Sequence, residues 1–248
     1  MHGPLSTPPL ALQQVTCERD AMFKKVTFVF DLDGTLVDTA PDLTNALNHA
    51  LKLHGHPPVE AERVREAVGR GAPAMIFEAL GTGIGTDGIL ADFLVHYEAN
   101  IAAESRPYPG AVAALEGLTA AGAKLAVCTN KRERLARLLL DTLGIGHHFA
   151  AIAGRDTFDV SKPHPGHLLG TIAASGGTAA RAVMVGDGAV DIQAAAAAGV
   201  PSVLVSFGYC PPPPEGPRPG AVIDRFETLQ TAAGLLLKRL TDRDPSPS

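Results

Sequence analysis

Val26-Thr27-Phe28-Val29-Phe30-Asp31-Leu32-Asp33-Gly34-Thr35-Leu36-Val37-Asp38 changes character in its middle. Val26 to Phe30 is an apolar and β-branched run, the pattern of a strand buried on both faces. Two carboxylates two positions apart, then Gly-Thr, cannot continue it, because Asp and Gly are depleted in strands. An unpaired buried carboxylate is also costly. Two acids at the end of a buried strand therefore call for compensation, and a divalent cation held by hard oxygen ligands is the usual form of it. A lone Asp-x-Asp would read as a strand-ending turn with solvated acids; three further polar clusters downstream favour a site.

Working outward, similar strand-like runs recur at Lys124–Cys128, Ala150–Ala153, Ala182–Val185, Ser202–Ser206 and Ala221–Ile223. Between most of them lie helical patterns that close on glycine: Ala111 to Gly122, Arg132 to Gly144, Gly166 to Gly176 and Ala189 to Gly199. Glycine just past the last apolar-periodic residue is a helix-ending signal. Strands alternating with such helices predict an α/β fold, a parallel Rossmann-like sheet flanked by helices. One interval breaks the rhythm, since residues 40–106 are too long for a single crossover. Leu43, Ala46, Leu47, Ala50 and Leu51 follow the helical repeat, as do Val64, Ala67 and Val68. Ile76, Phe77 and Leu80 continue it, then Leu90, Phe93, Leu94 and Tyr97. This reads as an inserted small helical cap of about four helices. The expected organisation is a disordered extension over 1–21, an α/β core over 22–39 and 107–241, the cap over 40–106, and a flexible tail over 242–248. Gly81 to Gly85 reads as a flexible connector, because it follows a helix rather than a strand. Pro211–Pro219 reads as an extended surface loop.

The 248 residues suffice for a real core, with 46% hydrophobic and 19% charged residues, as in ordinary globular chains. A net charge of −5 argues against a nucleic-acid partner held on a basic face. Three widely spaced cysteines, Cys17, Cys128 and Cys210, form no zinc pattern and fit a reduced, cytoplasmic setting. No apolar run is long enough to span a bilayer, and Met1 to Ala21 lacks the layout of a secretory signal. No nucleic-acid partner and no membrane are expected, for a monomer or homodimer.

In open parallel sheets, ligands bind beyond the carboxyl ends of the strands. There the sequence sets Asp31 and Asp33; then Thr129, Asn130 and Lys131; then Ser161-Lys162-Pro163-His164-Pro165; then Asp187, Gly188 and Asp191. Carboxylates, a hydroxyl, an amide and an ammonium at one sheet edge suit phosphoryl chemistry, with a small phosphorylated metabolite as the expected partner. Oxygen ligands hold Mg²⁺, while a lysine and a hydroxyl orient the remaining phosphate oxygens.

Asp31-Leu32-Asp33-Gly34-Thr35-Leu36, Thr129-Asn130, Lys162-Pro163 and Gly186-Asp187-Gly188-Ala189-Val190-Asp191 resemble, in order, the four motifs of the haloacid dehalogenase-like hydrolases. The resemblance runs from about Val26 to about Leu237, and the helical insert resembles that family's cap. Asp38-Thr39-Ala40-Pro41-Asp42-Leu43, Asp156-Thr157-Phe158 and Lys162-Pro163-His164-Pro165 look closest to phosphoglycolate phosphatases. The resemblance implies that Asp31 is the nucleophile, forming an aspartyl-phosphate, and Asp33 the general acid and base. It implies that Thr129 and the amide of Asn130 bind the phosphoryl group and that Lys162 offsets its charge. It implies Mg²⁺ held by Asp31, Asp187 and the Asp33 carbonyl, with Asp191 supporting the metal through water or orienting Lys162. Gly188 departs from the pattern, since close relatives carry Ser or Thr there, which predicts weaker hydrogen bonding near the metal.

Other residues admit plainer readings. Arg70, between Gly69 and Gly71 in the insert, could meet a substrate carboxylate by a two-pronged contact, or be a solvated arginine at a helix junction. Asp38 reads as structural, Lys131 as a residue on the first turn of an exposed helix, and His164 and His167 as packing or surface residues. Cys128 reads as a small apolar residue at a strand end. Other outcomes on this scaffold are a phosphatase for another sugar or nucleotide phosphate, or a phosphomutase. A dehalogenase needs the first acid but not Asp33. A non-enzymatic phospho-receiver would need neither the insert nor a general acid.

Overall fold

Four strands in sequence, each with its residues buried on both faces, leave the sheet nowhere to be but the centre of a three-layer stack. The computed structural model describes residues 22–81, 87–209 and 215–243. The parallel sheet comprises β1 (Thr27–Phe30), β4 (Lys124–Cys128), β5 (Ala151–Ala153), β6 (Ala182–Gly186), β7 (Ser202–Val205) and β8 (Ala221–Ile223), in the order β5-β4-β1-β6-β7-β8. β1 pairs with β4 on one side and β6 on the other. The chain thus builds outward from β1 to β5, then returns to β6 and builds the other way. The strand order reverses at β1, and a crevice opens where crossovers leave in opposite directions.

The side-chain alternation of the strands divides the core. Phe28, Phe30, Leu125, Val127, Val183, Val185, Val203 and Val205 face one way and join the larger apolar cluster. Val29, Ala126, Cys128, Ala182 and Met184 face the other way, against Leu168, Ile172 and Ala195. The flanking helices are α5 (Ala111–Ala120) and α9 (Leu229–Arg243) on the first face, and α7 (Pro165–Ala174) and α8 (Ala189–Ala197) on the second. α6 (Glu133–Thr142) packs beside β5 with Leu135, Ala136, Leu139 and Leu140 inward.

Between β2 (Val37–Asp38) and β3 (Arg106–Pro107) the chain forms α1 (Ala40–Leu53), α2 (Ala61–Val68), α3 (Ala72–Leu80) and α4 (Asp87–Ala99). α1 and α4 pack most extensively, through Leu43, Ala46, Leu47 and Ala50 on α1 and Ile89, Phe93 and Tyr97 on α4. Phe77 departs from the apolar pattern, since its ring is half-exposed while Met75 and Ile76 are buried. β2 and β3 form a two-residue antiparallel ladder, unforeseen in the sequence, that joins the outgoing and returning chain. Buried Asp42 reinforces this neck. Its carboxylate accepts from Glu104 N (3.0 Å), Ser105 N (2.8 Å) and Ser105 Oγ (2.6 Å).

Among the described residues no helix is long and apolar enough to cross a membrane. The expected extension over 1–21, the connector residues 82–86, Pro211 to Pro214 and the tail from 244 lie outside the described residues; 215–219 carry no helix or strand, with 215–218 exposed, and residues 242–243 complete α9.

Candidate active site

β1 delivers Asp31 to the carboxyl edge at the reversal point, and β4, β6 and the segment before α7 bring the other polar groups to it. The Asp31 carboxylate is buried; its Oδ1 accepts from Leu32 N (2.7 Å) and pairs with Lys162 Nζ (2.8 Å). The same ammonium reaches Asp191 Oδ1 at 2.7 Å. Asp187 Oδ1 accepts from Thr35 Oγ1 (2.9 Å), and its Oδ2 accepts from Tyr209 N (2.9 Å). Carboxylate oxygens of Asp31, Asp187 and Asp191 all lie within 4.8 Å of one another.

The electrostatics of this group are lopsided. Burial pushes Asp31 up to about 7 despite Lys162, with Asp191 and Asp33 adding repulsion. Burial and the Asp31 charge push Asp187 up to about 6. Asp191 is raised as well, by burial and by Asp187, against the pull of Lys162. Burial alone would lower Lys162, but Asp191 and Asp31 outweigh it and hold the ammonium charged. Three carboxylates share one cation, a donor set of hard oxygens with unmet negative charge. That set fits a divalent ion of the Mg²⁺ class.

Asp33 is provided for separately. Its Oδ1 accepts from Thr39 Oγ1 (2.7 Å) and Lys131 Nζ (2.6 Å). The expectation for Lys131 is therefore corrected. Rather than riding the exposed first turn of a helix, it precedes α6, and its side chain is only 6% exposed, 4.9 Å from the centroid of the Tyr97 ring. The strong cause is a carboxylate 98 positions away in the chain, which local periodicity cannot register.

Thr129, buried at the end of β4, accepts from Lys131 N at 3.1 Å. Asn130 Nδ2 donates to Gly69 O (3.0 Å) and Lys162 O (3.1 Å), tying the helical insert to the Lys162 segment. Buried Asn130 Oδ1 has no protein partner among the described residues, an acceptor left available at the site. His167 is buried and receives Lys162 N on Nδ1 (3.2 Å); burial and Lys162 lower it to about 4, so the ring is neutral. His164 caps α7, accepting from Gly166 N at 3.0 Å. Burial pushes the Cys128 thiol up to about 12, leaving it a packing residue.

Two glycines shape the edge. Gly34 adopts φ +83°, and a Cβ there would lie 2.5 Å from Asp187 Oδ2. Only glycine permits both the turn and the approach. Gly188 starts α8 without a side-chain cap, and Asp191 Oδ2 accepts from its N–H instead at 3.1 Å.

Above Asp33 lies a cavity of about 310 Å³ between the insert and the sheet edge. Leu43, Met75, Phe93 and Tyr97 wall it on the insert side, and Asn130, Lys131, Arg132 and Arg155 on the core side. Arg70 is not on its wall; the guanidinium pairs with Glu78 at the surface. Sequence reasoning missed Thr39, Tyr209, Asn130 as a tether and Arg155. Thr39 and Arg155 lay inside or beside stretches already singled out, while Tyr209 follows the fifth strand-like run with no local polar pattern.

The comparisons with known proteins agree on one family. The chain is 46% identical over 210 residues to a phosphoglycolate phosphatase of Agrobacterium fabrum, covering 82% of this chain and 90% of the relative. It is 47% identical over 207 residues to a phosphoglycolate phosphatase of Mesorhizobium japonicum, covering 81% and 91%. The crystal structure of a predicted phosphoglycolate phosphatase from Haemophilus somnus superposes with a TM-score of 0.77 at 30% identity, covering 85% of this chain and 98% of that one. The family model of haloacid dehalogenase-like hydrolases matches residues 26–199, from the start of the central strand to the end of α8. The chain belongs to the haloacid dehalogenase-like hydrolase family.

Proposed function

We propose that this hydrolase is a Mg²⁺-dependent phosphatase whose substrate is 2-phosphoglycolate and whose intermediate is an aspartyl-phosphate on Asp31. Membership in the family and relatives that are phosphoglycolate phosphatases over four-fifths of the chain support the activity. The observation that carries the mechanism is the division of labour between two acids two residues apart. Asp31 shares Lys162 with Asp191, whereas Asp33 has its own partners in Lys131 and Thr39.

Lys162 and Leu32 N engage Asp31 Oδ1, so Oδ2 is the oxygen that attacks phosphorus. As that bond forms, the ester bond breaks, and the leaving glycolate oxygen takes a proton from Asp33. Water then attacks the acyl phosphate and gives its proton to Asp33, freeing phosphate and Asp31. Thr129 Oγ1, Asn130 and Lys162 bind the transferring phosphoryl oxygens. Asp31, Asp187 and the Asp33 carbonyl, with Asp191 in support, would hold Mg²⁺, which would supply positive charge against the phosphoryl oxygens. The helices between β2 and β3 act as a cap over residues 40–106, closing on the core of 22–39 and 107–241 to exclude water.

A second reading rests on the cavity. Its volume and its apolar wall of Leu43, Met75, Phe93 and Tyr97 also suit a larger sugar or nucleotide phosphate. Phosphate release with Mg²⁺ across a panel of phosphomonoesters separates the two. The highest kcat/KM is expected on 2-phosphoglycolate, with loss of about three orders of magnitude in Asp31→Asn. A clear preference for a hexose or nucleoside phosphate moves the assignment to the second reading, and full activity in Asp31→Asn overturns the mechanism.

A further inference from the structure

A substrate with a carboxylate one methylene from its phosphate ester brings a second charge into the site that neither Lys162 nor a metal at Asp187 can meet. Two other cations, the expected Arg70 and the unforeseen Lys131, are already committed. Arg70 is paired with Glu78 at the surface, and Lys131 is held on Asp33. Two arginines remain on the cavity wall without an ion pair among the described residues, Arg132 and Arg155.

Arg155 is the better placed. Its Nη1 and the main-chain carbonyl of Asn130 both lie 3.2 Å from the point where a Cβ on Gly71 would stand. The guanidinium and the carbonyl of the residue that follows Thr129 thus flank the same point beside Gly71, on the side of the phosphoryl-binding loop. Gly71 has φ +86°, and its bare backbone leaves room for this approach from the insert side. The Arg155 backbone is fixed, with its N–H on Lys131 O at 2.9 Å. The neighbouring Asp156 does not compete, because its Oδ1 accepts from Glu133 N (2.8 Å) in place of a side-chain cap on α6.

Resting on the proposed phosphatase reading, we infer that Arg155 binds the carboxylate of the substrate and sets the preference for carboxylated phosphomonoesters. The planar guanidinium offers a carboxylate two parallel donors within the short reach of a two-carbon acid. Gly71 supplies the gap through which it works, and the specificity group belongs to the core segment after β5, not to the insert.

The test compares kcat/KM for 2-phosphoglycolate with that for ethyl phosphate, which lacks the carboxylate, in wild type, Arg155→Ala, Arg155→Lys and Arg70→Ala. Arg155→Ala is expected to cut the preference for 2-phosphoglycolate about 30-fold or more, chiefly through KM. Arg155→Lys restores part of it, and Arg70→Ala keeps the wild-type ratio. An unchanged ratio in Arg155→Ala, with a melting temperature matching wild type, overturns the inference. Wild type with no preference for 2-phosphoglycolate over ethyl phosphate or 3-phosphoglycerate refutes the substrate reading. A preference for 3-phosphoglycerate that Arg155→Ala abolishes sustains the carboxylate site while discarding 2-phosphoglycolate.

Discussion

Three carboxylates and one ammonium meet at the end of β1, and this arrangement costs stability in the absence of a cation. Asp31 is raised from 3.8 to about 7 in the fold, chiefly by burial. Between those values the folded protein binds more protons at this group than the unfolded chain does, so stability falls as pH rises from about 4 to about 7. Asp31→Asn removes that term while its Oδ1 can still accept from Leu32 N and Lys162. The metal-free variant should therefore melt above wild type, by a margin that widens from pH 5 to pH 8, and Mg²⁺ should raise wild type more than the variant. Scanning calorimetry in chelator and in Mg²⁺ measures both; a margin independent of pH contradicts the assigned cause. At this scale Asp31, Asp33, Thr129, Asn130 and Asp187 were legible in sequence because each follows a strand end, and Lys162 and Asp191 through their resemblance to family motifs. Lys131 was not, since only its Asp33 partner, brought in by the sheet, turns it inward. Arg70 was attractive between two glycines, but Glu78 one helix further on claims it.

The element that links the insert to the sheet edge is the start of α1. Its N-cap residue, Thr39, makes no capping bond, because its hydroxyl is spent on Asp33. Tyr209, in the turn after β7, takes over that work. Its hydroxyl accepts from Thr39 N (2.6 Å) and Ala40 N (2.8 Å) and donates to Asp38 Oδ1 (2.7 Å). The same residue donates its main-chain N–H to Asp187, so one residue joins the first helix of the insert to the carboxylate cluster through both its hydroxyl and its backbone. Tyr209→Phe should strip an acceptor from two helix N–H groups and cost about 1–3 kcal/mol. Hydrogen exchange at Thr39 and Ala40 should quicken; unchanged protection there contradicts the assignment. The core strands and helices were readable because long buried runs and closing glycines mark them. The β2–β3 ladder was not, since two residues, one of them Pro107, carry no period.

Over the whole molecule, sheet order does the assembling. By reversing at β1 it brings together residues from 31 to 191 that the sequence shows only as separate clusters. The cluster identities and their order were therefore available in the sequence, while the free cations on the cavity wall required the cavity. The central claim is that phosphate passes through Asp31, with Asp33 serving both proton transfers. Its most direct test is a single turnover of radiolabelled substrate by wild-type protein with Mg²⁺, quenched in acid before turnover is complete and mapped by peptide. The account predicts hydroxylamine-labile label on the peptide containing Asp31, and none in Asp31→Asn. Turnover of substrate by wild type with no protein-bound label on that peptide would contradict it.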